Sequence, residues 1–558
     1  MSKYSDHTTV GGQVIAHRLR MMKQNWNVIW IVGRISFLLS FVFYSLSKYQ
    51  ISDLWTYLCM VKAAWRVEMT SLPASLFSSS YIWFRSGKVK ELSDYFIAKN
   101  DAFLSVKSEV ERDLLFGLKL ALLLGMISMI FMLIFNKYFG KSLSDDKELI
   151  SGRDYVDANT LKKEIPNKSD ITLAGIPYPE GAESRHTIIT GTTGAGKSNV
   201  FQEILQQILQ KNERAIIVDT VGAYVDNYFR PDEDILLNPF DSRSLPWSFI
   251  KECGNNSVLL DEIAMCLIPD PIRGEKFWEQ AARTVFVEAV KKVVDQGKDV
   301  ADLLEIFQKP ITEQQEFLKD TFAANIISKE ADRMAISVNT VLLNATNAFQ
   351  YLKEGEEYFS IKEWIHSGRG LLFFSCSPEQ RATLIPMITV WLTIASDALM
   401  QTSETKKRTW FLIDELHNLN RLPRLETALA EVRKYGGCFV IGTQMVSQLN
   451  TIYGNETTRT ITGLCGTKVV MNVPEPETAK YMSGFLGEKE EISTSEAISY
   501  GANTMRDGVN IAQKTEKKLT VPYNEIMNLS TGEAFIKFSN VEPIAKVKFE
   551  YHELNIDI

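Results

Sequence analysis

The sequence lacks the cysteine and histidine patterns that hold a metal or build a disulfide scaffold. Its 558 residues include six cysteines, which are scattered without a CxxC pair, and the six histidines form no cluster around them. This spacing excludes a zinc ribbon and does not favour a disulfide framework. We therefore expect buried thiols in a reducing compartment.

The sequence also lacks an excess of positive charge. It has 61 Lys and Arg against 68 Asp and Glu, which gives a formal net charge of −7. A generic basic coat for nucleic acid is thereby excluded, and any contact with DNA requires a local basic surface. No internal repeat of solenoid length is present, and the length suggests about three or four domains.

Charged residues are nearly absent from two long apolar runs near the amino terminus. Residues 26–46 contain one charge, Arg34, and residues 114–135 contain one, Lys119. Each run can cross a hydrocarbon core of roughly 30 Å as a helix, and each charge can snorkel towards the headgroups. No small-residue cleavage site follows the first run, so a cleaved signal peptide is disfavoured. We expect a two-helix transmembrane hairpin in a membrane domain over 1–140, with a periplasmic loop between the spans.

A glycine-rich segment, GTTGAGKS, follows a short β-branched run and precedes an amphipathic helical pattern. Strand, G-x-x-x-x-G-K-S and helix together form the context of a phosphate-binding loop. Its backbone N–H groups surround phosphates, its lysine bridges the β- and γ-phosphates, and its serine holds Mg²⁺. The residues expected to bind the nucleotide are Gly191, Thr192, Thr193, Gly194, Ala195, Gly196, Lys197 and Ser198.

Three further segments supply candidate catalytic residues. WFLIDE ends in Asp414, expected to hold Mg²⁺ through water, and Glu415, the expected general base. CFVIGTQ ends in Gln444, which either senses the γ-phosphate or is an ordinary surface residue. Arg433 follows a helical stretch; it is either an arginine acting on a neighbouring subunit's nucleotide or a cation stabilising the helix end.

The order of apolar runs predicts the fold class. Short apolar strands alternate with helical patterns, which is typical of an α/β protein with a doubly wound parallel sheet. About 215 residues separate Ser198 from Asp414, more than one or two βα units need. Residues 249–364 have helical patterning, so we expect an inserted all-α domain. In one such helix an apolar face is expected to contain Phe277, Trp278, Ala281, Val285, Ala289 and Val293.

The remaining boundaries follow from these assignments. A polar, charged stretch over 141–170 is expected to be a linker behind the membrane domain. The nucleotide-binding domain is then expected over 171–248 and 365–558, on either side of the helical insertion.

Several blocks make the sequence resemble conjugative coupling proteins of the TraD/TrwB type, the DNA-pumping ATPases of type IV secretion systems. They include GGQVIAHRLRM before the first span, DILLNPFDSRSLPW after the phosphate loop, WFLIDEL, EVRKYGGCFVIGTQ and the late segment SYGANTMRDGVN. The resemblance covers nearly the whole chain. DILLNPFDSRSLPW is more diagnostic than the phosphate loop, because many unrelated ATPases share that loop.

The resemblance implies a RecA-like P-loop NTPase domain, an inserted all-α domain and a homo-hexameric ring in the bacterial inner membrane, multi-pass, with the N-terminus and the ATPase domain cytoplasmic. It implies ATP and Mg²⁺ as cofactors. Single-stranded DNA with a covalently attached relaxase, relaxosome accessory proteins and inner-membrane components of the secretion channel are the implied partners. By motif, Lys197 and Ser198 are nucleotide residues, Asp414 and Glu415 the hydrolytic pair, Gln444 the sensor and Arg433 the arginine acting in trans.

The function therefore expected is ATP-driven transfer of a relaxase–DNA complex into the channel. The alternative is a membrane-anchored, ATP-dependent docking receptor or assembly ATPase for protein substrates, without DNA pumping. An ABC transporter is disfavoured because no LSGGQ-like segment follows the phosphate loop. F-type relatives carry a long tail after the last strand, whereas this sequence stops at Ile558. The helical insertion is therefore the expected docking surface for cargo.

Overall fold

The protein was studied as a computed structural model that describes residues 3–70, 73–84, 87–142, 148–254, 256–271, 276–327, 332–403, 405, 407–499 and 508–551. The chain divides into two compact units, Met1–Asp146 and Lys147–Ile558. Each unit has a hydrophobic core of its own. Part of the late segment SYGANTMRDGVN, residues 500–507, lies outside the described residues.

The first unit consists of two long helices with a small α/β segment between them. Its elements are α1 (Lys3–Lys48), α2 (Ile51–Met69), a 3₁₀ turn (Ala74–Leu76), β1 (Ser79–Trp83), β2 (Val89–Ser93), α3 (Asp94–Lys99) and α4 (Asp101–Ser142). The stretches Asn25–Lys48 and Asp101–Phe135 are long and apolar enough to cross a membrane, and only 17% and 11% of their apolar windows are buried. Apolar side chains that face outwards all along a helix fit a lipid environment.

Glycines allow α1 and α4 to pack closely. A Cβ at Gly33 would lie 2.7 Å from Met129 Cγ, and one at Gly117 would lie 2.4 Å from Tyr44 Cδ1. Small residues at such points let two apolar helices approach each other without a hydrophobic driving force from water. The two apolar helices are therefore paired within the unit.

The segment between α1 and α4 has a small core and one buried acid. β1 and β2 form an antiparallel hairpin that packs on α2. Asp94 is fully buried; it accepts a hydrogen bond from Ser80 Oγ at 2.7 Å and forms an ion pair with Arg66 at 3.1 Å. Buried carboxylates are tolerated when their oxygens are paired in this way. The core side chains are Cys59, Met60, Ala63, Ile82 and Ile97.

The second unit is a large α/β body. Its strands are β3 (Glu148–Ser151), β4 (Val156–Asp157), β5 (Lys168–Leu173), β6 (Ile176–Pro179), β7 (Thr187–Thr190), β8 (Arg214–Asp219), β9 (Ile235–Leu237), β10 (Leu371–Ser375), β11 (Thr409–Ile413), β12 (Gly437–Thr443), β13 (Thr467–Val470), β14 (Glu488–Ser499), β15 (Gly508–Leu519), β16 (Glu533–Lys537) and β17 (Ala545–Lys548).

The helices of this unit lie mostly between strands. They are α5 (Ala158–Glu164), α6 (Lys197–Gln210), α7 (Ala223–Tyr228), α8 (Phe249–Cys253), α9 (Ser257–Leu267), α10 (Phe277–Asp295), α11 (Val300–Gln308), α12 (Ile311–Phe317), α13 (Asp332–Thr346), α14 (Ile361–Ser367), α15 (Arg381–Met400), α16 (Leu425–Glu431), α17 (Val446–Tyr453), α18 (Asn455–Leu464), α19 (Pro476–Leu486) and α20 (Tyr523–Met527). Short 3₁₀ turns lie at Glu183–Arg185, Phe322–Asn325, Asn347–Tyr351, Leu416–Asn418 and Val432–Tyr435.

Ten strands form one sheet in the order β4-β17-β16-β13-β7-β12-β11-β8-β10-β9. From β13 to β9 every neighbouring pair is parallel, and β16 joins β13 antiparallel. The predicted α/β fold with a parallel sheet is therefore confirmed. One strand, β12, lies between β7 and β11, so the phosphate loop and the acidic pair come from strands that are not neighbours.

Helices cover both faces of the sheet. All residues of β7, β10, β11 and β12 are buried, as expected for a parallel sheet with helices on each side. The helix Arg381–Met400 is apolar enough to cross a membrane, but 72% of its apolar window is buried. It packs within the core of this unit.

Two expectations from the sequence were wrong. The linker expected over 141–170 is part of the folded body from Glu148 onwards: β3 pairs with β14, β4 pairs with β17, and α5 buries Leu161. The stretch is mostly polar, so its composition did not indicate the few residues that are buried. Phe277 and Trp278 were expected on the buried face of α10, yet their side chains are 51% and 38% exposed because they begin the helix, before its packed part.

Between β9 and β10 the described residues form α8 to α14 and short 3₁₀ turns, and they contain no strand.

Candidate nucleotide-binding site

The glycine-rich loop connects β7 to α6. Gly194 and Gly196 have φ angles of 78° and 108°, which side chains other than glycine rarely adopt. α6 begins at Lys197, directly after the loop, so its first N–H groups point into the loop. This conformation presents backbone donors and the positive end of a helix to one small volume, which suits a bound phosphate group.

Neighbouring segments hold the loop in place. Gly191 N donates to Thr443 O at 3.2 Å, and Thr192 N donates to Asn472 O at 2.9 Å. The carbonyl of Ala195 accepts a hydrogen bond from a third segment, through Gly532 N, at 2.9 Å. Because three separate parts of the body fix the loop, its conformation is set before any ligand binds. The N–H groups of Gly191 and Thr192 already have carbonyl partners, so other N–H groups of the loop are the ones that can face a phosphate.

The side chain of Lys197 folds back against the start of the phosphate loop. The residue is 6% exposed, and its Nζ donates to Gly191 O at 2.9 Å. The same Nζ lies 3.6 Å from Glu415 Oε1. The lysine and Glu415, which are more than 200 residues apart in sequence, are therefore neighbours in the folded protein.

Asp414 follows β11 and has one oxygen without a partner. Tyr224 OH donates to Oδ2 at 3.2 Å, whereas Oδ1 is buried and has no hydrogen bond among the described residues. The pKa of Asp414 is raised to about 6, mainly by burial and also by the Glu415 charge, while the Lys197 charge opposes the rise. A buried carboxylate oxygen without a donor suits a cation or its hydration shell, so the residue fits the expected Mg²⁺ site.

Ser198 is the second residue expected at that cation. It lies in the first turn of α6 and is exposed. Mg²⁺ in such sites keeps several water ligands and also binds phosphate oxygens. Ser198 therefore stays, with Asp414, a predicted protein group of the cation site.

Glu415 lies at the centre of a polar network. Gln444 Nε2 donates to Glu415 Oε1 at 2.5 Å, and Thr193 Oγ1 donates to Gln444 Oε1 at 3.2 Å. His417 Nδ1 lies 3.1 Å from the other carboxylate oxygen, Oε2. Burial lowers the pKa of His417, although the Glu415 charge opposes this shift. The network connects the acid, the proposed sensor and the phosphate loop.

The approach of β12 to β11 depends on a glycine. A Cβ at Gly442 would lie 1.8 Å from the carbonyl oxygen of Asp414. Only glycine lets these strands pair closely enough to place Gln444 and Glu415 within hydrogen-bonding distance.

Sequence reasoning missed Gly442, Tyr224 and His417. Gly442 and His417 lie within or beside motifs that had already been identified, so their proximity was a usable signal. Tyr224, in α7, approaches Asp414 only in the folded protein, because the two residues are far apart in sequence.

Arg433 lies near the amino end of β12, whereas the phosphate loop and the acidic pair lie at the carboxyl ends of the parallel strands. It belongs to the 3₁₀ turn Val432–Tyr435, which precedes β12, whereas Gln444 follows the end of β12. The seven residues of β12 span roughly 20 Å. Arg433 is exposed and borders an open groove together with Arg408 and Glu213. Within one chain it is therefore remote from the phosphate loop, and its role in trans stays a prediction.

The fold and the site define the chain as a P-loop nucleotide-binding protein with a RecA-like parallel sheet and apolar helices near its N-terminus. The family model of the type IV secretion-system coupling protein DNA-binding domain matches residues 170–550. The chain belongs to this family of coupling proteins, as the resemblance predicted.

Individual relatives agree with this assignment. The chain is 33% identical over 428 residues to coupling protein TraD of Escherichia coli (strain K12), covering 74% of this chain and 59% of TraD. It is 23% identical over 349 residues to protein VirD4 of Rhizobium radiobacter, covering 56% of this chain and 49% of VirD4. The chain thus spans about half to three fifths of the length of these two relatives.

Solved structures of plasmid coupling protein TrwB have a similar fold. TrwB in complex with ADP and Mg²⁺ matches with a TM-score of 0.65 and 29% identity, over 73% of this chain and 95% of that one. TrwB in complex with a non-hydrolysable ATP analogue matches with the same TM-score, identity and coverage.

Proposed function

We propose that this protein is a membrane-anchored ATPase that recruits a relaxase–single-stranded DNA complex and drives its transfer into a type IV secretion channel. The observation that carries the proposal is the convergence of Lys197, Asp414 and Glu415 beside the phosphate loop. Membership of the coupling-protein family and the nucleotide complexes of TrwB support it. ATP and Mg²⁺ are the proposed cofactors.

Each residue of the cleft has a distinct part in hydrolysis. The loop N–H groups and Lys197 bind the phosphates and offset negative charge that develops on the transferred group. Ser198, and Asp414 through water, would hold a Mg²⁺ ion, which would supply further charge neutralisation. Glu415 orients a water molecule and accepts its proton.

Gln444 couples the state of the phosphates to the sheet. Its side chain bonds both to Glu415 and to Thr193 in the loop. Loss of the γ-phosphate changes the environment of Thr193, and Gln444 transmits that change to the end of β12. The two hydrogen bonds of Gln444 support this proposed coupling between hydrolysis and movement.

The complete site requires a second copy of the chain. Arg433 is exposed before the amino end of β12, away from the phosphate loop of its own chain. We propose that it reaches the γ-phosphate on a neighbouring subunit in a homo-hexameric ring, where it stabilises transition-state charge. An arginine that acted within its own chain would have to lie at the other end of β12.

DNA binding is expected to be independent of sequence. The family model describes a DNA-binding domain, and movement along single strands requires contacts with phosphates rather than with base edges. The relaxase, relaxosome accessory proteins and inner-membrane channel components are the proposed protein partners.

The proposed location is the bacterial inner membrane. α1 and α4 would both span the bilayer, with the N-terminus and the ATPase body in the cytoplasm and the segment between them in the periplasm. Residues 1–140 then form the membrane domain, 249–364 an inserted all-α domain, and 171–248 with 365–558 the nucleotide-binding domain.

The test is ATP hydrolysis by the full chain in lipid nanodiscs, with and without single-stranded DNA, across protein concentration. Hydrolysis should rise with DNA and with protein concentration, and the stimulation should weaken as salt rises. Lys197→Ala should abolish turnover. If rings form but DNA neither binds nor stimulates, the alternative of a docking receptor or assembly ATPase for protein substrates replaces the motor.

Mixing variants tests the arginine separately. Arg433→Ala alone should bind nucleotide without turning it over. Mixed with Lys197→Ala it should regain part of the activity, because some interfaces then combine an intact loop with an intact arginine. Lys434→Ala, which removes a neighbouring exposed cation, is the matched control and should remain active. If mixing restores nothing although mixed rings form, the role in trans is wrong.

A further inference from the structure

α2 carries an apolar stripe that the described part of its unit leaves uncovered. Successive members of the stripe are four, three, four, three and four residues apart, which places them on one face of the helix. Five of the six are apolar, and two are tryptophans. The stripe consists of Ile51 (77% exposed), Trp55 (54%), Leu58 (59%), Lys62, Trp65 (61%) and Met69 (69%).

The stripe points away from the rest of its unit. The buried side of α2 contains Thr56, Cys59, Met60, Ala63 and Ala64. With 3.6 residues per turn, the centre of the stripe lies about 140° around the helix from the centre of that side. The stripe therefore faces away from the β1–β2 hairpin, on which α2 packs.

A second apolar face lies on the opposite side of the same segment. Along β1, Ser80 and Ile82 are buried, whereas Tyr81 and Trp83 are 58% and 49% exposed. Trp83 pairs with Val89, which is 46% exposed, and Tyr81 pairs with Glu91. Residues paired across strands lie on the same face. We call Tyr81, Trp83, Val89 and Glu91 the outer hairpin face.

The stripe and the outer hairpin face lie at the same level along α2. Thr56 Oγ1 donates to Trp83 O at 3.0 Å, and Cys59 Sγ donates to Tyr81 O at 3.8 Å. Trp55 and Leu58 each precede one of these α2 residues in sequence. The middle of the stripe and the aromatic residues of the hairpin are thus at one height in the segment.

α2 also runs away from the bilayer rather than along its surface. At the end of α1, Lys48 contacts Asp113 of α4 at 2.9 Å, where the apolar run of α4 begins. Further along α2, Ala63 belongs to the core against which Phe103 of α4 packs. α2 therefore follows the part of α4 that precedes its apolar run. Lipid would cover at most the beginning of such a stripe.

The two faces are complementary in area and charge. The stripe exposes on the order of 600 Å² of apolar surface, close to the ~800 Å² that each partner contributes to a stable interface. Lys62 is the one charged residue of the stripe, and Glu91 is the one charged residue of the outer hairpin face. Neither forms an ion pair within the described residues, although Glu91 accepts a hydrogen bond from Ser79 Oγ.

We propose that the α2 stripe of one copy docks on the outer hairpin face of the next copy of this chain. Copies anchored in one membrane share orientation and height, so the stripe of one copy meets the aromatic residues of its neighbour at the correct level. Because the two faces differ and lie on opposite sides, the contact is head-to-tail, and repeated contacts close into a ring. The inference rests on the proposed function only in taking several copies as the working form.

Cysteine cross-linking of the full chain in nanodiscs tests this interface. Leu58→Cys combined with Tyr81→Cys should give, on oxidation, a ladder of covalent multimers larger than dimers, because each copy links to two neighbours. All six native cysteines are buried. Leu58→Cys with Glu109→Cys, which substitutes an exposed residue of α4, is the matched control and should give no ladder.

The outcomes separate the possible occupants of the stripe. Dimers from Leu58→Cys alone, as abundant as those of the pair, would mean that two stripes meet and would overturn the proposal. Absence of multimers from the pair, in samples that native mass spectrometry shows to be oligomeric, would overturn it in favour of lipid or another protein.

Charge exchange provides a second measurement. With the cysteine pair present, Lys62→Glu or Glu91→Lys alone should lower the multimer yield about threefold or more, and both together should restore it. Equal multimer yields in the two single variants and the double variant would exclude a contact between Lys62 and Glu91. ATP turnover measured on the same samples distinguishes the proposals: lost cross-links with DNA-stimulated turnover intact would overturn this interface alone.

Discussion

Replacing Glu415 by glutamine separates the chemical step from nucleotide binding. Glutamine has nearly the same shape and can still accept the hydrogen bond that Gln444 Nε2 makes to Glu415 at 2.5 Å. It cannot accept a proton from water. It also removes the negative charge 3.6 Å from Lys197 Nζ, which leaves this lysine free to pair with phosphate.

The magnitude follows from the part proposed for the carboxylate. A positioned general base contributes typically 10²–10⁴-fold, so turnover should fall by about that factor, or roughly 3–5 kcal/mol in the barrier. Nucleotide affinity should stay equal or increase. Since Glu415 is one cause of the raised pKa of Asp414, Glu415→Gln should also lower that pKa below about 6.

Two measurements check this prediction on the full chain in nanodiscs. Phosphate release gives turnover, and binding of a fluorescent ATP analogue with Mg²⁺ between pH 5 and 8 gives affinity and its pH midpoint. Glu456→Gln, at an exposed position in the first turn of α18, is the matched control and should resemble the parent. Turnover above one tenth of the parent value in Glu415→Gln would refute the assignment of the base.

Three further predictions concern pH and stability. Mg²⁺-dependent nucleotide binding should weaken as pH falls below about 6. The pKa of Asp414 is raised to about 6, and a protonated carboxyl no longer attracts the cation. Calorimetry that finds equal nucleotide affinity at pH 5 and pH 7.5 would contradict this prediction. Gly442→Ala should lower stability by about 1–3 kcal/mol and reduce turnover, since its Cβ would lie 1.8 Å from Asp414 O; an unchanged denaturation midpoint would show that the strands can separate freely. Asp94→Ala should lower the stability of the first unit by about 2 kcal/mol, because it removes a fully buried acceptor from Ser80 and Arg66. Proteolysis of the segment between α1 and α4 should therefore be faster in the variant. Equal cleavage rates would refute this prediction.

Local sequence patterns predicted the elements whose conformation depends mainly on nearby residues. Both long apolar runs near the amino terminus are helical and largely exposed here, as expected for segments that are long and apolar enough to cross a bilayer. The phosphate loop likewise depends on glycines at positions of positive φ and on the helix that follows. The apolar runs before Asp414 and Gln444 are strands in the structure, because buried parallel strands are continuous apolar runs.

Sequence patterns failed where burial depends on distant partners. The polar stretch before residue 170 forms edge strands and a short helix because β14 and β17 provide pairing partners that composition does not reveal. The helical spacing that assigned Phe277 and Trp278 to a packed face could not show where that packing begins.

Only the tertiary structure decided how the site is assembled. The order of the strands places β12 between β7 and β11, and this order brings Gln444 onto Glu415 and Glu415 beside Lys197. The parallel direction of these strands leaves Arg433, which precedes β12, at the opposite end of the strand from the nucleotide site of its own chain. Hydrogen-bonding registers between strands are long-range pairings, so residues that are hundreds of positions apart become neighbours only when the sheet has formed. The sequence by itself determined which chemical groups the protein has, and the sheet determined which of them act together.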